Sequence, residues 1–470
     1  MSGKSPNDIY LGTQGDSEEE NLEATDVTIK NDRCVKLHLD EHIKAYIEKK
    51  AVLDRPVEVL KCNNNLLESV ILNYIIVKKI LGNLSWQDKL LCAQVCSTWC
   101  SALQTLKKEQ LGPEDFVIDF CSRSLTCGMI YKKSGNFYNE PLVVMTFANP
   151  AGFGMTCKCK TMEPSPCNPP CIKEHSLLDI VYKYSSAPKD CMAIVRSDYL
   201  TYMPLASSVT YQDVITQLRS HPFVGGLYIP AIPNVKFHTI NMKSYEENIC
   251  SVVDSIASER IIKGVLVYVT DKYLLHSVED IVFLNYFKEA QPDIPYALGG
   301  CIIEDTVFER NDLNGIVDGI NESNDFISDN LISIGIFTVP KSGCNEFNFD
   351  MFSLILESSD WTKAKIQQSI NEFSKKVPQF EHSACIKLSC VGRDQKHKWE
   401  QECFRAVFPN TTIIGCYGNG ELGINHPEKP PPDVPSVKRH RRDPGPQFGL
   451  MYSYSTVFVY MGWGKIISPA

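Results

Sequence analysis

No run of about 18 apolar residues occurs in the chain, so nothing in it reads as a membrane-spanning helix. The first 26 residues lack the basic-then-apolar pattern of a secretory leader. They are polar and carry Asp16, Glu18, Glu19 and Glu20, and the stretch 1–33 offers too little apolar surface to offset the entropy of ordering, which predicts a disordered tail. A long basic face is also missing. With a formal charge of −9 and cations scattered along the chain, nothing matches a phosphate backbone, and no nucleic-acid partner is expected. No Ser-His-Asp set, helix with paired metal-binding histidines or phosphate-cradling lysine loop appears. The expectation is a non-catalytic protein, soluble, off the membrane, in cytoplasm and nucleus.

Cysteine is plentiful, at 19 residues, but without a secretory leader the disulfide reading is weak. Cys385 and Cys416 sit inside apolar runs and read as buried free thiols. Four others, Cys157, Cys159, Cys167 and Cys171, crowd into a Pro-rich stretch. Four thiolates can close a tetrahedral zinc site, yet this spacing lacks paired C-x-x-C knuckles, and an exposed insertion without a cofactor is the preferred reading. A second Pro-rich insertion, at 426–447, contains Lys438, Arg439, His440, Arg441 and Arg442, a candidate nuclear-import patch or a solvated loop.

The 43% hydrophobic and 22% charged composition supports a sizeable core and more than one domain. Residues 35–53 have apolar positions at helical spacing, Leu39, Ile43 and Tyr46. A denser helical pattern spans 66–108, broken near Ser85. Ile76, Val77, Ile80, Leu81 and Leu84 form one helical face; Leu90, Leu91, Ala93, Val95, Trp99 and Leu103 form a second stripe after a turn and cap at 85–88. Beyond Gly112, short β-branched runs alternate with amphipathic stretches, with strands predicted at 142–147, 192–195, 227–229, 264–269, 296–299, 332–337, 384–391, 411–417 and 456–461. Ser277 with Asp280 reads as a capping box for a helix reaching Ala290, and Ser359 or Asp360 as the cap of a helix with Ile366, Ile370 and Phe373 inward. Pro188, Pro292 and Pro409 each follow a helical stretch and precede a strand, which predicts a multi-sheet body built of related halves.

The spacing of Leu84, Asp88, Val95, Cys96 and Trp99 resembles the F-box pattern, and Val95-Cys96-x-x-Trp99 is its most specific part. The match departs where an F-box opens with Leu-Pro-x-Glu, since Leu72 is followed by Asn73, Tyr74 and Ile75, and where Ser97 replaces a basic residue. Three later blocks, YALGGCIIED at 296–305, SCVGRD at 389–394 and IGCYGNGELG at 414–423, are similar to the FIST N-terminal and C-terminal regions. The resemblance implies an α+β protein: a small all-helical F-box module at 61–110, then a large multi-sheet FIST body, N-terminal region 111–330 and C-terminal region 331–470, behind a tail at 1–60. It further implies a substrate-recognition subunit of a Skp-cullin-F-box ubiquitin ligase. Ile76, Val77, Ile80, Leu81, Leu84, Leu90, Val95, Cys96 and Trp99 would serve the Skp adaptor and, through it, a cullin scaffold. A FIST-type small-molecule sensor is the alternative.

Glycines at strand ends allow close backbone approach and expose amides that suit an anion. Gly299, Gly300, Cys390, Gly392, Arg393, Gly418, Asn419 and Glu421 are therefore expected to converge on one cleft. Arg393 is expected to lower the Cys390 thiol pKa, which leaves open a third reading with Cys390 as a nucleophile. Gly418, Gly420 and Gly423 fit a dinucleotide fingerprint, but Ile424, Asn425, His426 and Pro427 lead into a Pro-rich loop rather than a helix, so nucleotide is not expected.

Overall fold

The computed structural model describes residues 69–121, 128–153, 191–203, 223–244, 249–274, 284–307, 329–341, 347–357, 361–393, 396–428 and 451–468, with short pieces between 156 and 187. The expected tail, the 35–53 helix, the 277–280 capping box, Pro188, the 438–442 patch and the side chains of the cysteine cluster lie outside the described residues.

The chain begins with α1 (Tyr74–Leu81), α2 (Trp86–Cys92) and α3 (Ser97–Glu109). Asn73 caps α1 by accepting from the Ile75 and Ile76 amides at 3.0 and 3.2 Å. Ser85 caps α2, accepting from the Asp88 amide at 3.3 Å and donating to the Asp88 carboxylate at 2.8 Å. The second predicted stripe is two helices rather than one. The turn at 93–96 separates them, so Val95 and Cys96 lie between helices and Trp99 opens α3. A small core of Val77, Leu81, Ala102, Leu103 and Leu106 closes the module, with Leu84, Cys92, Ala93 and Trp99 packed at its edge.

Nineteen strands follow among the described residues. The first seven are β1 (Glu114–Cys121), β2 (Gly128–Lys133), β3 (Pro141–Ala148), β4 (Thr156–Lys158), β5 (Glu174–Ser176), β6 (Met192–Arg196) and β7 (Tyr199–Met203). Next come β8 (Phe223–Pro230), β9 (Lys236–Met242), β10 (Arg260–Thr270), β11 (Ala297–Ile303), β12 (Asp305–Val307) and β13 (Ile332–Pro340). The last are β14 (Asn348–Leu356), β15 (Gln379–Cys390), β16 (Thr412–Gly418), β17 (Glu421–Gly423), β18 (Met451–Tyr452) and β19 (Thr456–Ser468). Helices α4 (Ile249–Glu259), α5 (Asn285–Ala290), α6 (Lys363–Ser374) and α7 (His397–Val407) lie between them. The cap of α6 is Thr362, whose hydroxyl accepts from the Lys365 amide at 3.3 Å, rather than Ser359 or Asp360; Ile366, Ile370 and Phe373 do point inward.

Apart from the hairpin β4-β5, the strands form three sheets: β12-β6-β3-β8-β1-β2, then β18-β17-β11-β10-β13-β9, then β14-β19-β15-β16-β7. One five-strand pattern recurs in all three. A central strand has a parallel neighbour on one side and an antiparallel one on the other: β3 with β6 and β8, β10 with β11 and β13, β15 with β16 and β19. Outside these stand antiparallel β1, β9 and β14 on one flank and β12, β17 and β7 on the other. The body is thus built of thirds, not halves. Pro292 and Pro409 precede β11 and β16, the parallel neighbours of two of these units.

The three units exchange strands in a ring. After 197–198 the chain passes from β6 in the first sheet to β7 in the third; after 304 it passes from β11 in the second to β12 in the first; after 419–420 it passes from β16 in the third to β17 in the second. Hydrogen bonds pin the crossings: Ser197 Oγ donates to the Tyr417 carbonyl, and the Asn419 and Ile302 amides donate to the Ile302 and Gly420 carbonyls at 3.0 and 2.9 Å. The inner faces share one core that includes Phe147, Tyr202, Tyr268, Phe337, Ile414 and Trp463. Helices α4 and α5 cover the second sheet through Val253 and Phe287, and α6 and α7 cover the third through Ile370 and Phe404. This mixed architecture is α+β. The line drawn at 330 does not divide the sheets, because β7 belongs to the third and β17 and β18 to the second.

The helical module is bound to the body. The Trp86 amide donates to the Phe137 carbonyl at 3.0 Å, Asn139 Nδ2 donates to the Lys107 and Gln110 carbonyls, and Trp463 Nε1 donates to the Leu111 carbonyl at 2.7 Å. Among the described residues no helix is long and apolar enough to cross a membrane.

Candidate functional site

Two groups of predicted residues take shape. In the helical module Val77 and Leu81 turn inward, whereas Ile76 and Ile80, each one position earlier, stand 39% and 50% exposed. Leu72 at 62%, Ile75 at 76% and Val95 at 55% are exposed apolar side chains of the same module. Leu84, Leu90, Cys96 and Trp99 are half-buried between the two faces, and Trp99 Nε1 donates to the Ile71 carbonyl at 3.1 Å. Val77 and Leu81 therefore hold the module, while Ile76, Ile80 and Val95 are available for contact. A helix normally buries one apolar stripe and wets the other. Here the outer side of α1 carries Ile75, Ile76 and Ile80 beside Lys79.

In the body, the strand ends of the third sheet and the start of β17 in the second bring six of the eight predicted residues together. Cys390 ends β15 beside Gly418, the end of β16, and its Sγ accepts from the Gly392 and Tyr454 amides and bonds the Glu421 carboxyl. Glu421 accepts from the Ser455 amide and hydroxyl at 3.2 and 2.9 Å. Burial pushes its carboxyl up to about 8, against the lowering contacts of Ser455, Arg393 and Cys390. Asn419 adjoins the group on an exposed turn. Gly299 and Gly300 do not join it. They lie within β11, where a Cβ on Gly299 would stand 2.2 Å from Val459 and one on Gly300 2.2 Å from the Val267 carbonyl oxygen, so they serve close packing between and within sheets.

The expected activation of Cys390 is overturned. Burial, then the Glu421 charge, raises its pKa. The Arg393 guanidinium is engaged elsewhere, donating to Glu400 at 2.7 Å and to the Tyr454 carbonyl at 2.6 Å. His397 is no base for Cys390: its ring is buried, faces Ser389 Oγ at 3.3 Å, and is pushed down to about 2 by burial and by the Lys387 and Arg393 charges.

What the sequence reading missed is the ionic core behind this group. Lys387, Arg393 and Glu400 have fully buried side chains, with Lys387 Nζ 3.4 Å and Arg393 Nε 2.7 Å from Glu400. Thr456 Oγ1 donates to Glu400 at 2.8 Å, and Lys387 Nζ donates to the His397 carbonyl at 3.3 Å. Desolvation brings Lys387 down to about 8 despite its carboxylate partner. With no face open to solvent, this cluster fastens α7 to β15 rather than performing chemistry on a ligand. A signal existed in the lone lysine inside the apolar run ACIKLSC at 384–390. A second charged group sits at the crossings, where Glu304 lies 3.1 Å from Arg196 Nε and hydrogen-bonds Asp198, and Asn419 bonds Asp271. Burial, followed by the Asp198 contact, raises Glu304 to about 8.

Among the described residues no three His, Cys, Asp or Glu side chains are placed to hold a metal ion. After β17, residues 424–428 run without a helix, so the glycine fingerprint has no helix N-terminus behind it. No protein-family model and no curated protein matches the chain. Among solved structures, a cyanuric acid hydrolase from A. caulinodans is similar at 7% identity and a TM-score of 0.26, over 74% of this chain and 98% of that one, a likeness too slight to carry an argument about fold or chemistry.

Proposed function

We propose that the chain is the substrate-recognition subunit of a Skp-cullin-F-box ubiquitin ligase. The supporting observation is the outer apolar face of Leu72, Ile75, Ile76, Ile80 and Val95, presented by a module that already has a core of its own and a bonded seat on the body. Large apolar side chains left exposed in number on one small module mark a docking site for a partner. The residue spacing that resembles an F-box selects the partner: the Skp adaptor, with a cullin scaffold behind it. The three-sheet body then holds a target protein near the cullin-bound conjugating enzyme, and ubiquitin transfer is accelerated by proximity, with no catalytic residue supplied by this chain. Work in cytoplasm and nucleus accords with that role.

Co-expression of the full chain with the Skp adaptor tests the proposal. The wild type is expected to co-purify with the adaptor, and Ile76→Asp with Ile80→Asp, which charges the outer face without touching Val77 or Leu81, is expected to lose it while keeping its circular dichroism. Equal recovery of adaptor by both proteins would overturn the assignment of that face.

A further inference from the structure

On the side of the helical module that meets the body there is a cavity of about 150 Å³. Its walls come from three directions. Helix α2 and its C-cap contribute Trp86, Lys89, Leu90 and Ala93, at i, i+3, i+4 and i+7; α3 contributes Cys100, Leu103, Gln104 and Lys107 at the same spacing; the loop Tyr138, Asn139 and Glu140 closes the body side. Two helix faces turned toward each other normally fill such a space with large side chains. Here the α2 series ends on Ala93 and the α3 series begins on Cys100, both small, and the space stays open.

One donor at the wall is unsatisfied and a second has an N–H to spare. The Trp86 side chain is 97% withdrawn from solvent, being only 3% exposed, and its indole N–H has no acceptor. An orphaned buried donor costs free energy that a ligand acceptor recovers. Lys89 is 7% exposed and uses two of its three N–H groups, on Gln110 Oε1 and on the Tyr138 carbonyl at 2.8 Å. Desolvation lowers its pKa to about 8, outweighing the nearby Glu114 charge. The remaining lining is largely apolar, and an apolar cavity of about this volume holds one benzene ring.

We propose that this cavity is a binding site for a small apolar carboxylic acid, one aromatic ring or a short branched chain in size, whose carboxylate accepts from Lys89 and from the Trp86 indole N–H. Because the ligand touches α2, α3 and the 138–140 loop at once, it clamps the helical module to the body. The site is separate from the outer face of Ile76, Ile80 and Val95, so it stands or falls independently of the adaptor reading.

The test uses the full chain labelled with ¹⁵N-tryptophan, the Trp86 indole resonance being assigned by its loss in Trp86→Phe. Titrated benzoate should shift that resonance saturably, with a dissociation constant on the order of 1 mM, the range open to a ligand of so few atoms. Benzamide, equal in shape but uncharged, should bind about tenfold more weakly. Ala93→Leu, which fills the space with apolar atoms, should abolish the shift while leaving the thermal midpoint of the unliganded protein at or above that of the wild type. Lys89→Met should remove the preference for benzoate over benzamide. A Trp86 resonance that does not move with benzoate, or that moves equally in Ala93→Leu, would overturn the proposal.

Discussion

Glu421 and Glu304 keep protons in the folded protein that the unfolded chain gives up near pH 4.5, since burial raises both to about 8. For a carboxyl whose folded pKa is raised, the folded state binds the extra proton, and the associated stability is lost as pH climbs toward the folded value. His397, held neutral down to about 2, acts in the opposite sense but only below its ordinary 6.5. Between pH 6.5 and 8, therefore, the thermal midpoint should fall, and Glu421→Gln should flatten the fall; a midpoint that rises across this window would contradict the assignment. Glu400 makes a larger claim. Glu400→Gln leaves two buried cations, Lys387 and Arg393, without their shared carboxylate, and losing one partner of a buried ion pair typically costs about 3 to 5 kcal/mol. Urea unfolding should show a loss of that order, and a loss below about 1 kcal/mol would mean that the three charges do not interact as described. At this scale sequence adjacency misled in one place: Arg393 follows Cys390 by three residues, yet its guanidinium turns to Glu400 on the next helix, which no local spacing reveals.

Elements were more legible than sites. Nine predicted strands correspond to β3, β6, β8, β10, β11, β13, β15, β16 and β19, all largely buried over the predicted stretches, because continuous β-branched runs survive as a signal when both faces are covered. Of the strands that escaped notice, β12, β17 and β18 are two or three residues long, too short for any period, and β9 has a half-exposed face, with Lys236 and His238 interrupting the apolar run; β14 is nine residues long and mostly buried, but Asp350 and Ser353 break its apolar run. The Ser85 cap was readable from Asp88 three positions on, but the break at 93–96 was not, since Ala93, Val95 and Trp99 continue an apolar pattern across it. Trp99 illustrates the consequence. It lies half-buried at the edge of the small helical core and ties α3 to the Ile71 carbonyl, so Trp99→Ala should cost less than the about 3 to 5 kcal/mol of a fully enclosed tryptophan. Even a smaller loss is large for a core this size. The expected outcome is loss of adaptor binding and of helical circular dichroism, with the sheet signal of the body retained because its cores are separate clusters. Loss of the sheet signal as well would show that module and body fold as one unit.

At the scale of the whole molecule, three copies of one five-strand pattern enclose a common core, and each copy lends its parallel strand's continuation to a neighbour. Such a ring makes the body cooperative, since no sheet is complete without a strand from another. The recurring prolines hinted at repetition but not at its number, and the exchange is invisible in sequence because β7, β12 and β17 follow their parent strands after breaks of only one or two residues. The helical module sits on this body by hydrogen bonds from Trp86, Asn139 and Trp463, leaving its other side apolar and open. We propose this open side as the seat of the Skp adaptor. Calorimetric titration of the purified full chain with purified Skp adaptor measures this directly. A saturating one-to-one isotherm at submicromolar affinity is predicted, with a negative heat-capacity change from apolar burial. Failure of the wild-type chain to bind the adaptor at micromolar concentration would contradict the ubiquitin-ligase reading and leave a ligand-sensing role for the body in its place.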